Sequence, residues 1–428
     1  MIARMAIVGT GIAGLACARL LHARHEITLL DANDHVGGHS HTLSVDEAGR
    51  EIPIDAGFMV FNQVTYPELT RLFKAIDAPV KQTSMSFSVQ HRPTGLEYSG
   101  SSMNHLFAQR RNLLRPRFWN LLKQINRFNR EAIPALQDPR TRTLALSEYV
   151  EERQYGSDFL NLYLVPMSSA VWSTPPSKML GFPASSLLGF FHNHGFLGLH
   201  TQHQWWTVDG GSRRYVERLV EPFRERIQLG DGVLRVTPRE DGVAIQTQAG
   251  RQLEFDKVIM ACHGDQALAL LDQPSRLQQT LLGPFRYQAN LATLHTDARV
   301  MPRTRLAWSS WNYRIESGSS GEETPSTIYW MNRLQDVSRQ QDYFVSINGA
   351  EQIREEHILR QVPYEHPLFD LEAVAAQERL PELNRQSPDQ RVYFCGSYFK
   401  HGFHEDALVS AIHLNQVISG RDFDGAWN

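Results

Sequence analysis

Cysteine is scarce: only Cys17, Cys262 and Cys395 occur in 428 residues. They stand far apart in the sequence and odd in number, which excludes a disulfide framework and any zinc-ligand spacing. Cys17 and Cys262 fall in apolar runs and read as small core residues, and a reducing, cytoplasmic compartment fits. An excess of one charge is also missing. The chain has 43 Lys and Arg against 46 Asp and Glu, a net charge of -3, so no nucleic-acid partner is implied. No uninterrupted apolar run is long enough to cross a bilayer. The nearest approach, residues 5–23 behind Arg4, is broken by three glycines and Arg19, and no small-residue cleavage site follows it. It is therefore read as neither a span nor a secretion signal. Repeats are absent. Low complexity is confined to residues 317–323, Ser-Gly-Ser-Ser-Gly-Glu-Glu, which predict an exposed loop. The length allows two domains with sizeable cores.

What is present begins at the first residues. The apolar run Met5-Ala6-Ile7-Val8 leads directly into Gly9-Thr10-Gly11-Ile12-Ala13-Gly14 and then into a helical pattern. Gly9 permits a tight turn out of a strand, Gly11 lets a pyrophosphate approach the backbone, and Gly14 lets helix and strand pack closely. The helix start presents free N–H groups and a positive dipole end to phosphate. A second strand, Glu26 to Leu30, ends at Asp31, where a carboxylate can accept from the ribose hydroxyls of an adenosine. The context is complete, and a dinucleotide site is expected here.

Three further segments bear on which dinucleotide binds. Gly37-Gly38-His39-Ser40-His41-Thr42 places a second glycine loop soon after Asp31. Val208-Asp209-Gly210-Gly211-Ser212 precedes a helix, followed by strands at residues 233–236, 243–245 and 257–261. Far along the chain, Arg391 to Ser397 predicts a strand running into Gly396, and Gly402-Phe403-His404-Glu405-Asp406-Ala407-Leu408 opens a helix. That helix start can cap the far end of a long cofactor.

In this order the segments resemble the flavin-containing amine oxidase superfamily. Residues 54–62, 165–173, 311–313 and 329–335 are similar to a bacterial branch of it described only as NAD/FAD-binding proteins. The resemblance covers nearly the whole chain. It implies an α/β fold: a Rossmann-like FAD-binding domain of the glutathione-reductase-like, amine oxidase type, with an interleaved α+β substrate domain. The FAD domain is expected to be discontinuous, over 1–75, 205–270 and 385–428, with 76–204 and 271–384 forming the substrate domain.

Carried over by position, the resemblance implies FAD held non-covalently, although His39, His41 and Cys395 are conceivable attachment points. Gly9, Gly11 and Gly14, with Ile12 and Ala13, would hold the pyrophosphate, and Asp31 with Ala32 the adenosine ribose. Gly38, His39 and Thr42 would line the middle and the flavin end, and Val236 would offer backbone contacts to adenine. Gly396, Ser397, Glu405, Asp406 and Ala407 would flank the ribityl chain and the ring. His404 and Glu405, with Asp406, are candidates for acid–base work; the alternative is capping of the last helix. Two departures matter. Ser397 stands where the superfamily usually has an acid, and the strand expected over 285–296 lacks the lysine that amine oxidases carry near the flavin.

A single GxGxxG leaves no second nucleotide domain, so electrons are expected to come from the organic substrate. The leading expectation is an oxidase or desaturase taking a hydride from a small lipophilic substrate such as a fatty acyl chain, and members of the branch look linked to cyclopropane-type lipid modification. An amine oxidase is the alternative, and a non-redox flavin isomerase or mutase is a further one. Residues 104–138 predict helices broken near Arg115-Pro116, carrying seven basic residues against Glu131, with Asp138 as the last residue. The plain reading is a solvated basic face; the sharper one is peripheral docking on a membrane surface or anionic lipid. The apolar stretch 170–196 is expected to supply core and part of a substrate pocket. His192, His194, His200 and His203 lack a carboxylate or thiol at ligand spacing, so no metal is expected. Trp205-Trp206, Trp311, Tyr313, Tyr329 and Trp330 read mainly as packing, with one or two facing the flavin.

Overall fold

The computed structural model describes residues 2–198, 201–317, 323–385, 391–420 and 427. Of the loop expected over 317–323, residues 318–322 lie outside these residues, as does His200, while Ser317 and Glu323 are paired strand ends.

Residues 5–8 are apolar at every position and fully or nearly buried, as a parallel strand covered on both faces requires. The strand Arg4–Val8 sits at the centre of a five-stranded parallel sheet. Across the sheet the order is Ile227–Gln228, Glu26–Leu30, Arg4–Val8, Lys257–Met260 and Val392–Phe394. Neighbours in that sheet come from the two ends and the middle of the chain. The helix Ile12–Leu21 leaves the central strand through Gly9 and packs against the last long helix, His404–Ser419. That contact brings two cysteines together that are distant in sequence: Sγ of Cys17 lies 3.6 Å from Sγ of Cys395, both buried and both free thiols.

A three-stranded antiparallel sheet (Val233–Pro238, Val243–Thr247, Gln252–Phe255) lies between two strands of the parallel sheet in sequence. Its register shifts between Val233 and Arg235. A hairpin, Thr42–Glu47 with Arg50–Asp55, follows the second glycine loop.

The second half of the molecule is a seven-stranded mixed sheet. Its order is Ile358–Leu368, Arg286–His295, Phe344–Ile347, Glu323–Trp330, Trp311–Ser317, Phe87–His91 and Leu96–Ser99. Only Phe87–His91 beside Trp311–Ser317 runs parallel. Pro363 and Pro367 fall in Ile358–Leu368, which is tolerable because that strand is at the edge. Helices pack over the other end. The basic stretch forms the short helix Met103–Leu106, a 3-10 turn Arg110–Leu114 and the helix Pro116–Gln137, so the chain breaks before Pro116 as its residue type demands. Phe128 on the last of these packs against Phe159 at the end of the helix Ser157–Phe159, 5.3 Å away, and Phe191 on the helix Ala184–Asn193, 6.3 Å away. Among the described residues no helix is long and apolar enough to cross a membrane.

Candidate functional site

A cavity of about 1440 Å³ runs from the carboxyl ends of the parallel strands to the inner face of the mixed sheet. That is larger than the roughly 300–1,000 Å³ of an ordinary small-molecule site, and it has room for a long cofactor and a substrate together. Open parallel sheets bind their ligands at this end.

Gly9, Gly11, Ile12, Ala13, Asp31, Ala32, Gly38, His39, Gly396, Ser397, His404 and Ala407 all line it. The glycines play different parts. Gly9 has φ +105°, and a Cβ there would lie 2.8 Å from the carbonyl oxygen of Ala261. A Cβ on Gly14 would lie 2.0 Å from the carbonyl oxygen of Gly9, so Gly14 sits beneath the turn rather than on the wall. A Cβ on Gly11 would meet no protein atom within 4 Å: it faces open cavity at the start of the first helix. Asp31 stands at the end of its strand, yet its carboxylate is already engaged. One oxygen accepts from the N–H and hydroxyl of Thr10 at 2.7 and 2.6 Å, the other from the N–H and side-chain amide of Asn33, both at 2.9 Å. Those four donors match the four lone-pair sites of a carboxylate, so a ribose there must share or displace one.

The middle of the cavity is lined by histidines. The His39 ring stacks on Tyr364 with centroids 4.9 Å apart and meets His366 edge-on at 5.5 Å. Burial lowers His39, His41 and His263 to about 4 and His366 to about 3, and His263 adds to the effect at His39. They are neutral at pH 7. Nδ1 of His263 makes no close hydrogen bond, and the Glu365 carboxylate is its neighbour at 3.5 Å.

At the far end the His404 ring lies flat on Phe58, centroids 3.8 Å apart. Its Nε2 is 2.9 Å from the Ser40 hydroxyl and 3.2 Å from that of Tyr215. Burial drives His404 to about 3, so it stays neutral. Beyond it the wall is aromatic: Trp172, Phe190, Phe196, Trp205, Trp311 and Tyr329. Phe190 sits 4.8 Å from Trp172 and 5.1 Å from Phe403. The Trp205 indole N–H is buried and unpartnered. Among the described residues no lysine or arginine lines this cavity. Asn290 occupies the strand where a lysine was looked for, and its amide is 2.9 Å from His366 Nδ1.

Besides Gly14, four expected site residues are elsewhere. Glu405 turns away from the cavity: its two oxygens accept the backbone N–H groups of Glu68 and Leu69, at the start of the helix Pro67–Ala75. Asp406 accepts from the N–H groups of His401 and Phe403, closing the start of its own helix. Burial raises Glu405 to about 7 and Asp406 to about 6. Thr42 is off the wall because its hydroxyl donates to buried Asp55. Val236 is fully buried and its carbonyl takes the N–H of Asp272; Gly232, Val233 and Gln248 face the cavity instead. The reading of the sequence also missed Tyr364, Glu365 and His366, which reach the wall from Ile358–Leu368. The signal was the alternation through Tyr364, Glu365 and His366, masked by the flanking prolines. His194 is tied to Phe190 and Thr65, and no group of His, Cys, Asp or Glu among the described residues could hold a metal.

The close approach allowed at Gly11, the helix start beneath it and the length of the cavity fit a dinucleotide with an aromatic ring at its far end. Sites of this kind belong to flavin-dependent oxidoreductases. Residues 12–305 match the profile of the flavin-containing amine oxidoreductases, and the chain belongs to that family. No curated protein matches it in sequence. Its fold is similar to that of cyclohexylamine oxidase from Brevibacterium oxydans, at TM-score 0.67 and 14% identity over 98% of this chain and 100% of that one. Putrescine oxidase bound to putrescine gives 0.66 and 14% over 98% and 100%. A conjugated-linoleic-acid-producing fatty acid isomerase from P. acnes gives 0.67 and 14% over 98% of each chain.

Proposed function

We propose that this protein is an FAD-dependent oxidase or desaturase that takes a hydride from a lipophilic substrate such as a fatty acyl chain. FAD would be held without a covalent bond, with its ADP part over Gly9–Ala13 and its ring between Phe58, His404 and the aromatic chamber. The observation that carries the reading is the chamber itself, walled by Trp172, Phe190, Phe196, Trp205, Trp311 and Tyr329, with no lysine or arginine on the cavity wall among the described residues. Such a wall favours apolar chains and excludes water.

When bound, the flavin supplies a two-electron acceptor. The chain's own residues do the rest. The aromatic rings hold and desolvate the substrate. His404, neutral and fixed by Ser40 and Tyr215, positions the wall against Phe58. Asn290, hydrogen-bonded to His366, presents an uncharged amide to the cavity from a strand that has no lysine. A second reading, amine oxidation, is favoured by one feature: Trp311 and Tyr329 present nearly parallel rings, 6.0 Å apart and inclined by 12°, beside which an alkylammonium could lie.

Anaerobic mixing separates the two. The expected result is bleaching of the flavin band by acyl lipids and none by amines. Bleaching by amines alone sinks the lipid reading, and turnover of a substrate without any bleaching points to a non-redox isomerase. Release of the yellow colour on denaturation checks the non-covalent link.

A further inference from the structure

We infer that the turn Arg110–Leu114 and the exposed face of the helix Pro116–Gln137 dock the protein on an anionic phospholipid bilayer. The inference does not rest on the flavin chemistry.

The turn is rigid and presents apolar side chains outward. Leu114 is 88% exposed and Leu113 and Trp119 are each 47% exposed, within seven residues. Single exposed leucines are common, but three large apolar side chains this close together form a patch. The turn is not loose. The Trp119 indole N–H donates to the carbonyl of Leu113 at 2.9 Å, the Trp119 ring packs 5.1 Å from Phe107, and Asn112 is buried beneath. The wedge is therefore preformed and needs no folding on contact.

Positive charge surrounds it. Between Glu97 and Glu131 the chain has no acidic residue. Arg110 and Arg111 bond only neutral oxygens, Arg110 to Asn104 and Phe107 and Arg111 to Gly95, so their charge is uncompensated. Exposed Arg115, Lys123 and Arg130 have no acidic partner among the described residues, whereas Arg117 and Arg127 are paired with Asp158 and Glu131. Trp119, Lys123, Arg130 and Ile133 recur at helical spacing, and all are exposed on that helix. Arg110 and Arg111 also border a second groove, of about 780 Å³, where Arg92 and Arg303 are offset by Glu316 and Glu97.

A leucine wedge ringed by arginines matches the two parts of an anionic interface: apolar side chains enter the acyl boundary while guanidinium groups meet the headgroup phosphates. A nucleic acid would satisfy the arginines but gives the leucines nothing to enter.

The test is sedimentation of the full-length, flavin-loaded protein with vesicles of phosphatidylcholine alone or mixed with phosphatidylglycerol. Binding is expected only to the mixed vesicles and should weaken with added salt. Arg115→Glu should lower partitioning by at least about fivefold, at about one kcal/mol per surface cation. Leu113→Ser combined with Leu114→Ser should abolish it, with thermal midpoint and flavin content unchanged because both side chains are exposed. The inference falls if the wild type stays in solution, if the variants sediment like the wild type, or if the protein is retained on duplex DNA and not on vesicles.

Discussion

Glu405 holds the start of the helix Pro67–Ala75: its two carboxylate oxygens accept the N–H groups of Glu68 and Leu69, each at 2.9 Å. This contact joins the last long helix to a helix more than three hundred residues earlier in sequence. It makes Glu405 a structural residue. In Glu405→Gln the amide can accept with one oxygen only, leaving an N–H without a partner, a loss of about 1–3 kcal/mol. Urea unfolding should show that loss. Turnover per bound flavin should be retained, against the roughly 10²–10⁴-fold fall that removal of an acid–base group brings.

Gly11 and Gly14 should separate cofactor binding from folding. Gly11→Ala adds a methyl group that meets no protein atom within 4 Å. The purified protein should melt like the wild type when flavin-free, yet carry less flavin per chain. Gly14→Ala drives a methyl group to 2.0 Å from the carbonyl of Gly9, so the flavin-free protein itself should lose about 1–3 kcal/mol or more. Absorbance ratios and thermal melts read both outcomes.

Asp55 is a second structural knot. Its buried carboxylate accepts from the Thr42 hydroxyl, from the N–H and hydroxyl of Ser212, and from the Gln335 side chain at 2.7 Å. It thereby ties the hairpin after the glycine loop to the Gly210-Gly211-Ser212 turn and to the mixed-sheet side. Asp55→Asn places an NH₂ group among these donors, and a loss of about 3 kcal/mol is expected by chemical denaturation.

Acid should destabilise the flavin-free protein. Burial holds His39 and His263 near 4 and His366 and His404 near 3, against 6.5 in the unfolded chain. Between those values the unfolded chain binds more protons, so stability is complete above about pH 6.5 and falls as pH drops toward 4. Glu405 and Asp406 act oppositely, since their raised values make the folded state hold more protons up to about pH 7 and 6. Four histidines outweigh two carboxyls, and each group is worth about 1.4 kcal/mol per pH unit. Urea midpoints between pH 7 and 5 should therefore decrease on acidification. A midpoint that rises would show that the carboxyls dominate.

The strand Arg4–Val8, the glycine turn, the helix Ile12–Leu21 and the strand Glu26–Leu30 ending before Asp31 were legible in the sequence because each depends on neighbours in the chain. Positions carried over from the resemblance fell off the cavity wall where a residue's direction is set by tertiary contacts. Val236 is fully buried with its carbonyl taken by the N–H of Asp272, so Val233 and not Val236 faces the cavity. Thr42 was drawn off the wall by Asp55, 13 residues on, and Glu405 by N–H groups 336 and 337 residues away. The histidine wall was hidden for a different reason. Pro363 and Pro367 argue against a strand, and only the edge position of Ile358–Leu368, a property of the whole sheet, makes them acceptable.

The strand order has a consequence for biosynthesis. Lys257–Met260 is flanked by Arg4–Val8 on one side and by Val392–Phe394 on the other. While the ribosome is still short of residue 392, one edge of that strand stays open, with its backbone N–H and C=O groups unpaired. Pairing over such sequence separations is slow, and an open edge invites association with other chains. The nascent protein therefore passes through a stage in which its nucleotide cradle is half built and adhesive. Chaperone occupancy on stalled nascent chains should fall sharply once that last strand has cleared the exit tunnel.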